Sequence, residues 1–459
     1  MNSPWLSADD WCDQSLALLT ASAARNTHAD PHAKECQVVT RKHNIIRFGA
    51  GAAAVGLLLT GCAPAAEDDA ASGDVTLTVG TFNDSGFADE MFAEYEELNP
   101  GVKIVHNKAA TTDDARTNFF QKLGKTGLSD IEYVEGDWLP EVMEYADLLA
   151  PVPADLKDRW LDWKVEEATD PEGNLIGYGT DIGPLAICYR SDLFEGAGLP
   201  TDRDAVAELL GGDWARYFEI GDQYVEATGL PFFDSARGVW QGMINQIAVP
   251  YEDPKTGEII ATENDEVRKS YDQLLAASST QSAHLSQWST DWYAAMANGG
   301  FATMLCPGWM LGVIEGNAKD VTTWDVANVF PNGGGNWGGS YLTVPASGAN
   351  VEEAQKLADW LTAPEQQLKY FENAGLFPSQ VEAMSSPILL EATNPFFNDA
   401  PIGQIFSDRA QAVEVAPFKG ELYFQVATAM GDAIARVEDG TQDAGASWDQ
   451  WVEKVNSIE

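Results

Sequence analysis

Histidine, cysteine and basic side chains are all scarce in this chain, and each shortage removes a class of function. There are five histidines, of which His106 and His284 alone lie beyond residue 62. No HExxH zinc motif or multi-histidine metal cluster can be assembled from them. Lys and Arg number 27 against 71 Asp and Glu, a net charge of -44. Such a surface repels nucleic-acid phosphates and anionic lipid headgroups, so nucleic acid is excluded as a partner. No apolar run reaches the roughly 20 residues that a membrane-spanning helix needs. Nucleotide signatures fail on inspection. Gly124-Lys125-Thr126 resembles the end of a P-loop, but Phe119 stands where its first glycine is required. Gly333, Gly335 and Gly338 have dinucleotide-loop spacing but lead into a strand, not a helix.

The remaining composition is that of a folded protein. Hydrophobic residues at 45% and aromatics at 10% are too abundant for a disordered acidic chain, so the acidity reads as a solubilised surface. At 459 residues the chain exceeds the ~250 to 300 at which one core stops growing, which favours two lobes.

Near the start, Arg41, Lys42 and Arg47 precede an apolar run, residues 48–59, and then Leu59-Thr60-Gly61-Cys62. A basic region, a short apolar region and small residues make a secretory signal. The last four residues resemble the bacterial lipobox, which implies lipidation of Cys62 and removal of residues 1–61. A translation start at Val38 or Val39 would account for the long extension before the basic cluster. Residues 62–73 are small and acidic and read as a flexible tether. Cys188 and Cys306 are then the only body cysteines. Both follow strand-like apolar runs, and a disulfide between them stands beside two buried free thiols as the alternatives.

From Val75 the pattern is β-α-β-α-β: alternating Val75, Leu77 and Val79, helical spacing of Phe87, Met91, Tyr95 and Leu98 ended by Asn99-Pro100-Gly101, a strand from Val102, a helix around 113–123, and a strand at 131–134. This predicts an α/β fold with mostly parallel sheets flanked by helices. A second unit starts at the Gly/Pro-punctuated crossing 179–184. Ala354, Leu357, Ala358 and Leu361 share one helical face.

Tryptophan, by contrast, is plentiful, with 15 in the chain. Sugars present apolar C–H faces and rings of hydroxyls, so a sugar site needs flat aromatic platforms beside carboxylates and amides. Trp138 follows Glu135, Gly136 and Asp137 at the carboxyl end of a parallel strand, where open α/β sheets place ligands. The same logic selects Asn83 and Asp84 after the first strand, Trp309 after Pro307-Gly308, and Trp240 after a turn. Asp181 is added from its place at the crossing and Trp337 from its glycine-rich loop. Trp160, Trp163 and Trp360 sit in helical patterns and read as core. Paired carboxylates of a carbohydrate-degrading enzyme remain an alternative. A receptor for a peptide or metal is another, disfavoured by the tryptophans and the scarce histidines.

Several segments in order resemble the family 1 extracellular solute-binding proteins of carbohydrate ABC importers: the lipobox at Cys62, residues 92–101, Ser129-Asp130-Ile131, residues 189–194 with 197–200, Pro307-Gly308-Trp309, and Gly375-Leu376-Phe377-Pro378. The resemblance covers nearly the whole chain after Cys62. It implies a periplasmic-binding-protein-like fold of two lobes, residues 74–181 with 338–378 and residues 182–337 with 379–459, joined by crossing strands. It also implies a monomer without cofactor or catalysis, lipid-anchored at the outer face of the cytoplasmic membrane and serving an ABC permease. It places Asn83, Asp84, Asp137, Trp138, Trp240 and Trp309 at sugar-contact positions. Trp138 departs from the maltose-binding pattern, which has a basic residue there.

Overall fold

The structure is a computed structural model that describes residues 74–83 and 85–458. The expected lipidation site Cys62, the tether up to residue 73, and Asp84 therefore lie outside the described residues.

Strand β1 (Val75–Phe82) buries Leu77 and Val79 because a strand turns alternate side chains to one face. It pairs in parallel with β2 (Val102–Ala109), Val75 opposite Val102, and with β3 (Ile131–Glu135), Val79 opposite Ile131. The helix Asp89–Leu98 buries Met91, Phe92 and Tyr95 against this sheet. Helix Thr112–Lys122 starts where the Thr111 side chain accepts a hydrogen bond from the Asp114 amide, an N-cap that satisfies a donor the helix leaves open. The chain then crosses through β4 (Tyr178–Gly179) and β5 (Asp181–Ile182) into β6 (Leu185–Arg190).

β6 is the centre of a second sheet, with β7 (Thr303–Pro307) and β8 (Trp324–Ala327) on either side. All six of its residues are buried, as expected of a strand covered on both faces. Leu185, Ile187 and Tyr189 face one core with Tyr217, Phe232 and Trp240. Ala186 and Cys188 face another with Trp292, Met296 and Phe406. The return to the first sheet is through β9 (Ser340–Thr343), which lies between β3 and β4 and gives the order β2-β1-β3-β9-β4. Strand β10 (Phe377–Pro378) then pairs with β5 to make the remaining crossing. The first sheet's core draws on residues 77–178 and 341–376. In the helix Val351–Leu361, Ala354, Leu357, Ala358 and Leu361 are the buried face.

Strand direction corrects one expectation. Among the described strand pairs only β1–β2 and β1–β3 are parallel; β9 runs antiparallel to β3 and β4, and β7 and β8 both run antiparallel to β6. Parallel neighbours need a helical crossover, which the helices Asp89–Leu98 and Thr112–Lys122 supply between β1, β2 and β3, whereas β9 enters the first sheet, and β7 and β8 flank β6, in the opposite direction.

Cys188 and Cys306 are joined by a disulfide. The register explains it: Cys188 is opposite Met304 and Ala186 opposite Cys306, so both sulfurs point from adjacent strands to the same face, with Cα atoms 5.4 Å apart. The bond closes a span of 118 residues. Replacing both cysteines with alanine should lower stability by about 2 to 5 kcal/mol, read as a lower midpoint in thermal or denaturant unfolding. A double variant as stable as the parent would contradict that contribution.

Candidate ligand-binding site

The two lobes meet along a seam where the crossing strands are tightly packed. Trp337 donates its amide to the Gly183 carbonyl at 2.7 Å, and a Cβ on Gly183 would fall 1.8 Å from the Trp337 oxygen, so only glycine fits there. The Asn336 side chain accepts from the Gly183 amide and donates to the Gly338 carbonyl. From the first lobe, the Gly136 amide donates to the Gly339 carbonyl. Residues 135–138, 181–184 and 336–339 are thereby held in one place, and the sequence-predicted residues Glu135, Asp137, Asp181 and Trp337 belong to these three segments.

Their charges form a buried cluster. Asp137 pairs with Lys419 at 2.7 Å, the carboxylate coming from the loop after β3 and the ammonium from the segment before helix Tyr423–Glu438 of the second lobe. Glu135 accepts the Asp137 amide; burial, then the neighbouring Asp137, pushes its carboxyl well above the usual range. Burial pulls the Lys164 ammonium down to about 8, opposed by Glu167 and Asp181. It lies 3.8 Å from the centre of the Tyr341 ring, an attractive geometry for a cation. For Lys419, burial acts in the same downward direction, but Asp137, Glu167 and Glu135 outweigh it and hold the group protonated above its ordinary range.

Asp181 was expected to face ligand, and the structure assigns it to the hinge instead. One carboxylate oxygen accepts from Tyr133, Thr180 and the Ser340 amide, because a buried carboxylate needs donors to offset desolvation. Trp138 and Trp240 are likewise core residues. Trp138 is 1% exposed, packed against Phe119 and Phe120, with its indole N–H on Thr112. Trp240 is 2% exposed on the helix Ala236–Ile244, whose inward face fills the second lobe. Neither offers a ring face to a ligand. Asn83 closes β1 in a left-handed conformation, with φ 48°.

Trp309 and Trp337 do come together. Trp309 donates its indole N–H to the Trp337 carbonyl, the ring centres are 5.2 Å apart, and both rings are only partly buried. Gly308, just before Trp309, packs so closely on Gly375 that a Cβ there would meet the Gly375 carbonyl at 2.5 Å. A third ring, Trp288, stacks on Trp309 at 6.0 Å and 25°. Sequence reading missed Trp288; the available signal was its position just before Ser289, the N-cap of the helix Thr290–Asn298, which places it in a loop. Lys164 and Lys419 were missed too, although isolated cations in so acidic a chain were a clue.

Beside the hinge is a cavity of about 400 Å³, within the range of small-molecule sites. Ile182, Pro184, Trp163, Asn245 and Asn336 line it, and Glu167 and Lys419 connect it to the charge cluster. None of the sequence-predicted ligand residues is on that wall, while Trp163, expected in the core, is.

Asp234, fully buried, accepts from Gln287 and the Trp292 indole, and burial raises its carboxyl from 3.8 to about 6, with Glu438 adding in the same direction. The folded state thus holds this proton more tightly than the unfolded chain, so stability falls as pH rises from about 4 to 6 and the full cost is present above that. Asp234→Asn has no proton to lose. Its stability relative to the parent should improve by up to about 3 kcal/mol between pH 4 and pH 7, measured by denaturant unfolding; a difference independent of pH would contradict this.

Residues 90–393 match the family described as bacterial extracellular solute-binding protein. The chain is similar to the arabinooligosaccharide-binding protein of Bacillus subtilis (strain 168), 24% identical over 383 residues, 77% of this chain and 84% of that one. Among solved structures, an extracellular solute-binding protein of family 1 has a TM-score of 0.75 and 44% identity, covering 83% of this chain and 99% of the other. An ABC-transporter-associated binding protein from B. animalis subsp. lactis Bl-04, solved with β-1,6-galactobiose, shares the fold at a TM-score of 0.70 and 18% identity over 82% of this chain and 96% of that one. With more than half of its length matched and the same two-lobed fold, this chain belongs to the bacterial extracellular solute-binding proteins.

Proposed function

We propose that this protein is the receptor of an ABC importer, that it captures an oligosaccharide between its lobes, and that it is held outside the cytoplasmic membrane by lipid on Cys62. The observation that carries the reading is the pair of partly open rings, Trp309 and Trp337, on the same seam as the Glu135 and Asp137 carboxylates. Indole faces cover the apolar C–H side of a sugar, and carboxylates accept from its hydroxyls. The named ligands of the arabinooligosaccharide- and galactobiose-binding relatives support the same ligand class.

The lobes proposed are residues 74–181 with 338–378 and residues 182–337 with 379–459. Contacts made to both lobes favour the closed state, because an open receptor makes only part of them. Asp137 and Lys419 approach from opposite lobes, so closure brings together the two groups that bracket the charged part of the seam. No bond is broken in this cycle. Lipid at Cys62 raises the receptor's concentration near its permease without a new contact.

Isothermal titration of the chain from residue 63 against arabino-, galacto-, xylo-, cello- and malto-oligosaccharides, with product analysis of the same samples, tests the reading. Saturable binding of one series with every sugar recovered intact is the expected result. Cleavage would move the protein to the hydrolases, and silence across the panel would favour a non-sugar ligand. Trp309→Ala should weaken binding at least tenfold; a change within about twofold would remove Trp309 from the site. In cells, Cys62→Ser should release the protein from the membrane fraction into the medium, and retention there would contradict the anchor.

A further inference from the structure

Two side chains of one short stretch, Lys419 and Phe424, reach from the second lobe to the first. Lys419 pairs with Asp137 at 2.7 Å. The Phe424 ring centre lies 4.6 Å from the Arg116 guanidinium, and the ring packs against the first lobe's core although it stands on the helix Tyr423–Glu438 of the second. Arg116 is itself fixed within its lobe, donating to Glu141 at 3.0 Å and covering Phe120. Both contacts lie apart from Trp309 and Trp337, so they bear on how the lobes meet.

The approach to this stretch has no ladder of its own to fix it, since residues 413–420 form neither helix nor strand. Glu252 supplies the anchor. It is 2% exposed, and its carboxylate accepts the Leu422 amide at 2.7 Å. Leu422 is the N-cap of the helix Tyr423–Glu438 and brings no side-chain cap. Glu252 therefore fills, from a distant segment, the place that a glutamate of the first turn takes in a capping box. Gly420 lets it in, because a Cβ there would stand 2.0 Å from the Glu252 carboxylate oxygen. Beside this contact the Phe418 amide donates to the Ala248 carbonyl at 2.8 Å, and the Tyr251 and Tyr423 rings meet at 5.2 Å. The loop that carries Glu252 is tied to the core in turn: the Ile260 and Ala261 amides both donate to the Tyr251 carbonyl, and Tyr251 and Ala261 are fully buried. A buried carboxylate adds little stability that a well-packed apolar residue would not; what this one supplies is the direction of the turn.

We propose that Glu252 is a positioning residue: by fixing the 418–424 turn it aims Lys419 at Asp137 and Phe424 at Arg116, and so sets how strongly the lobes hold each other when the receptor closes. This rests on the two-lobed receptor reading above and adds to it a residue that is off the cavity wall. A turn that wanders lowers the population of the closed state, and apparent affinity falls with that population. Losing the two contacts should weaken ligand binding by about three- to tenfold.

The test is a double-mutant cycle on the chain from residue 63, read by titration with the oligosaccharide panel above and by small-angle X-ray scattering of the ligand-free protein. Glu252→Ala is made in the parent and in a Lys419→Met, Phe424→Ala background. In the parent it should weaken binding about three- to tenfold and enlarge the ligand-free molecule. In the background, where the turn has nothing left to aim, it should change affinity by less than about twofold and leave the size unaltered. Gly420→Ala displaces the turn from the other side and should reproduce the loss, which keeps the test open if Glu252→Ala fails to fold. Glu252→Gln retains an oxygen for the Leu422 amide and should bind within about twofold of the parent. Equal loss in both backgrounds, or none in the parent, would overturn the positioning role while leaving the sugar receptor intact. If no sugar binds the parent, scattering decides alone: a Glu252→Ala chain no larger than the parent overturns the role, and one enlarged only where Lys419 and Phe424 are present upholds it even as the sugar reading falls.

Discussion

The seam between the lobes is governed by the cost of burying charge. Asp137, Lys419, Lys164, Glu135, Glu167 and Asp181 crowd the junction, and an unpaired ion taken out of water costs several kcal/mol. Each therefore has a partner, Glu135 accepting the Asp137 amide. Asp137 takes Lys419, Asp181 takes three protein donors, Glu167 accepts from the Tyr341 hydroxyl, and Lys164 rests against the Tyr341 ring. The partners of Asp137 and Asp181 come from different chain segments, so the match exists only when the crossing strands are in register. A buried pair of this kind is weak evidence for stability but a strong constraint on geometry.

That constraint separates two populations of tryptophan. Trp138, Trp240, Trp292 and Trp324 fill lobe interiors, where a large ring removes much apolar surface from water. Trp288, Trp309 and Trp337 sit where glycines and a pinned loop let backbone segments come close, leaving ring area uncovered. The residue type is the same in both; the difference is whether the carrying element faces its own core or the seam. Asp234 shows how the two are linked, since one buried carboxylate binds a core indole and the loop that presents an outward one.

Much of the fold was legible in the sequence because it rests on local patterns. The alternation in β1, the apolar face of Val351–Leu361 and the helix spacing of Met91 and Tyr95 are statements about which side of an element is buried, and burial follows residue type. The candidate site was legible only in part. Glu135, Asp137, Trp309 and Trp337 follow strands or glycine turns and do gather at the seam. Trp138 obeyed the same rule and turned inward, because the first position after a loop can point either way and Phe119 and Phe120 supply a ready apolar surface. Lys419 is distant in sequence from Asp137, and no local pattern connects them.

The sequence by itself determined the α/β class, the scarcity of histidine, the apolar faces and the resemblance to solute-binding proteins, since composition and periodicity reflect what each segment buries. Tertiary structure alone decided the antiparallel direction of the second sheet, the reassignment of Asp181, Trp138 and Trp240, and the placing of Trp288 beside Trp309. Those depend on contacts between segments far apart in the chain, whose distance and orientation no local spacing encodes.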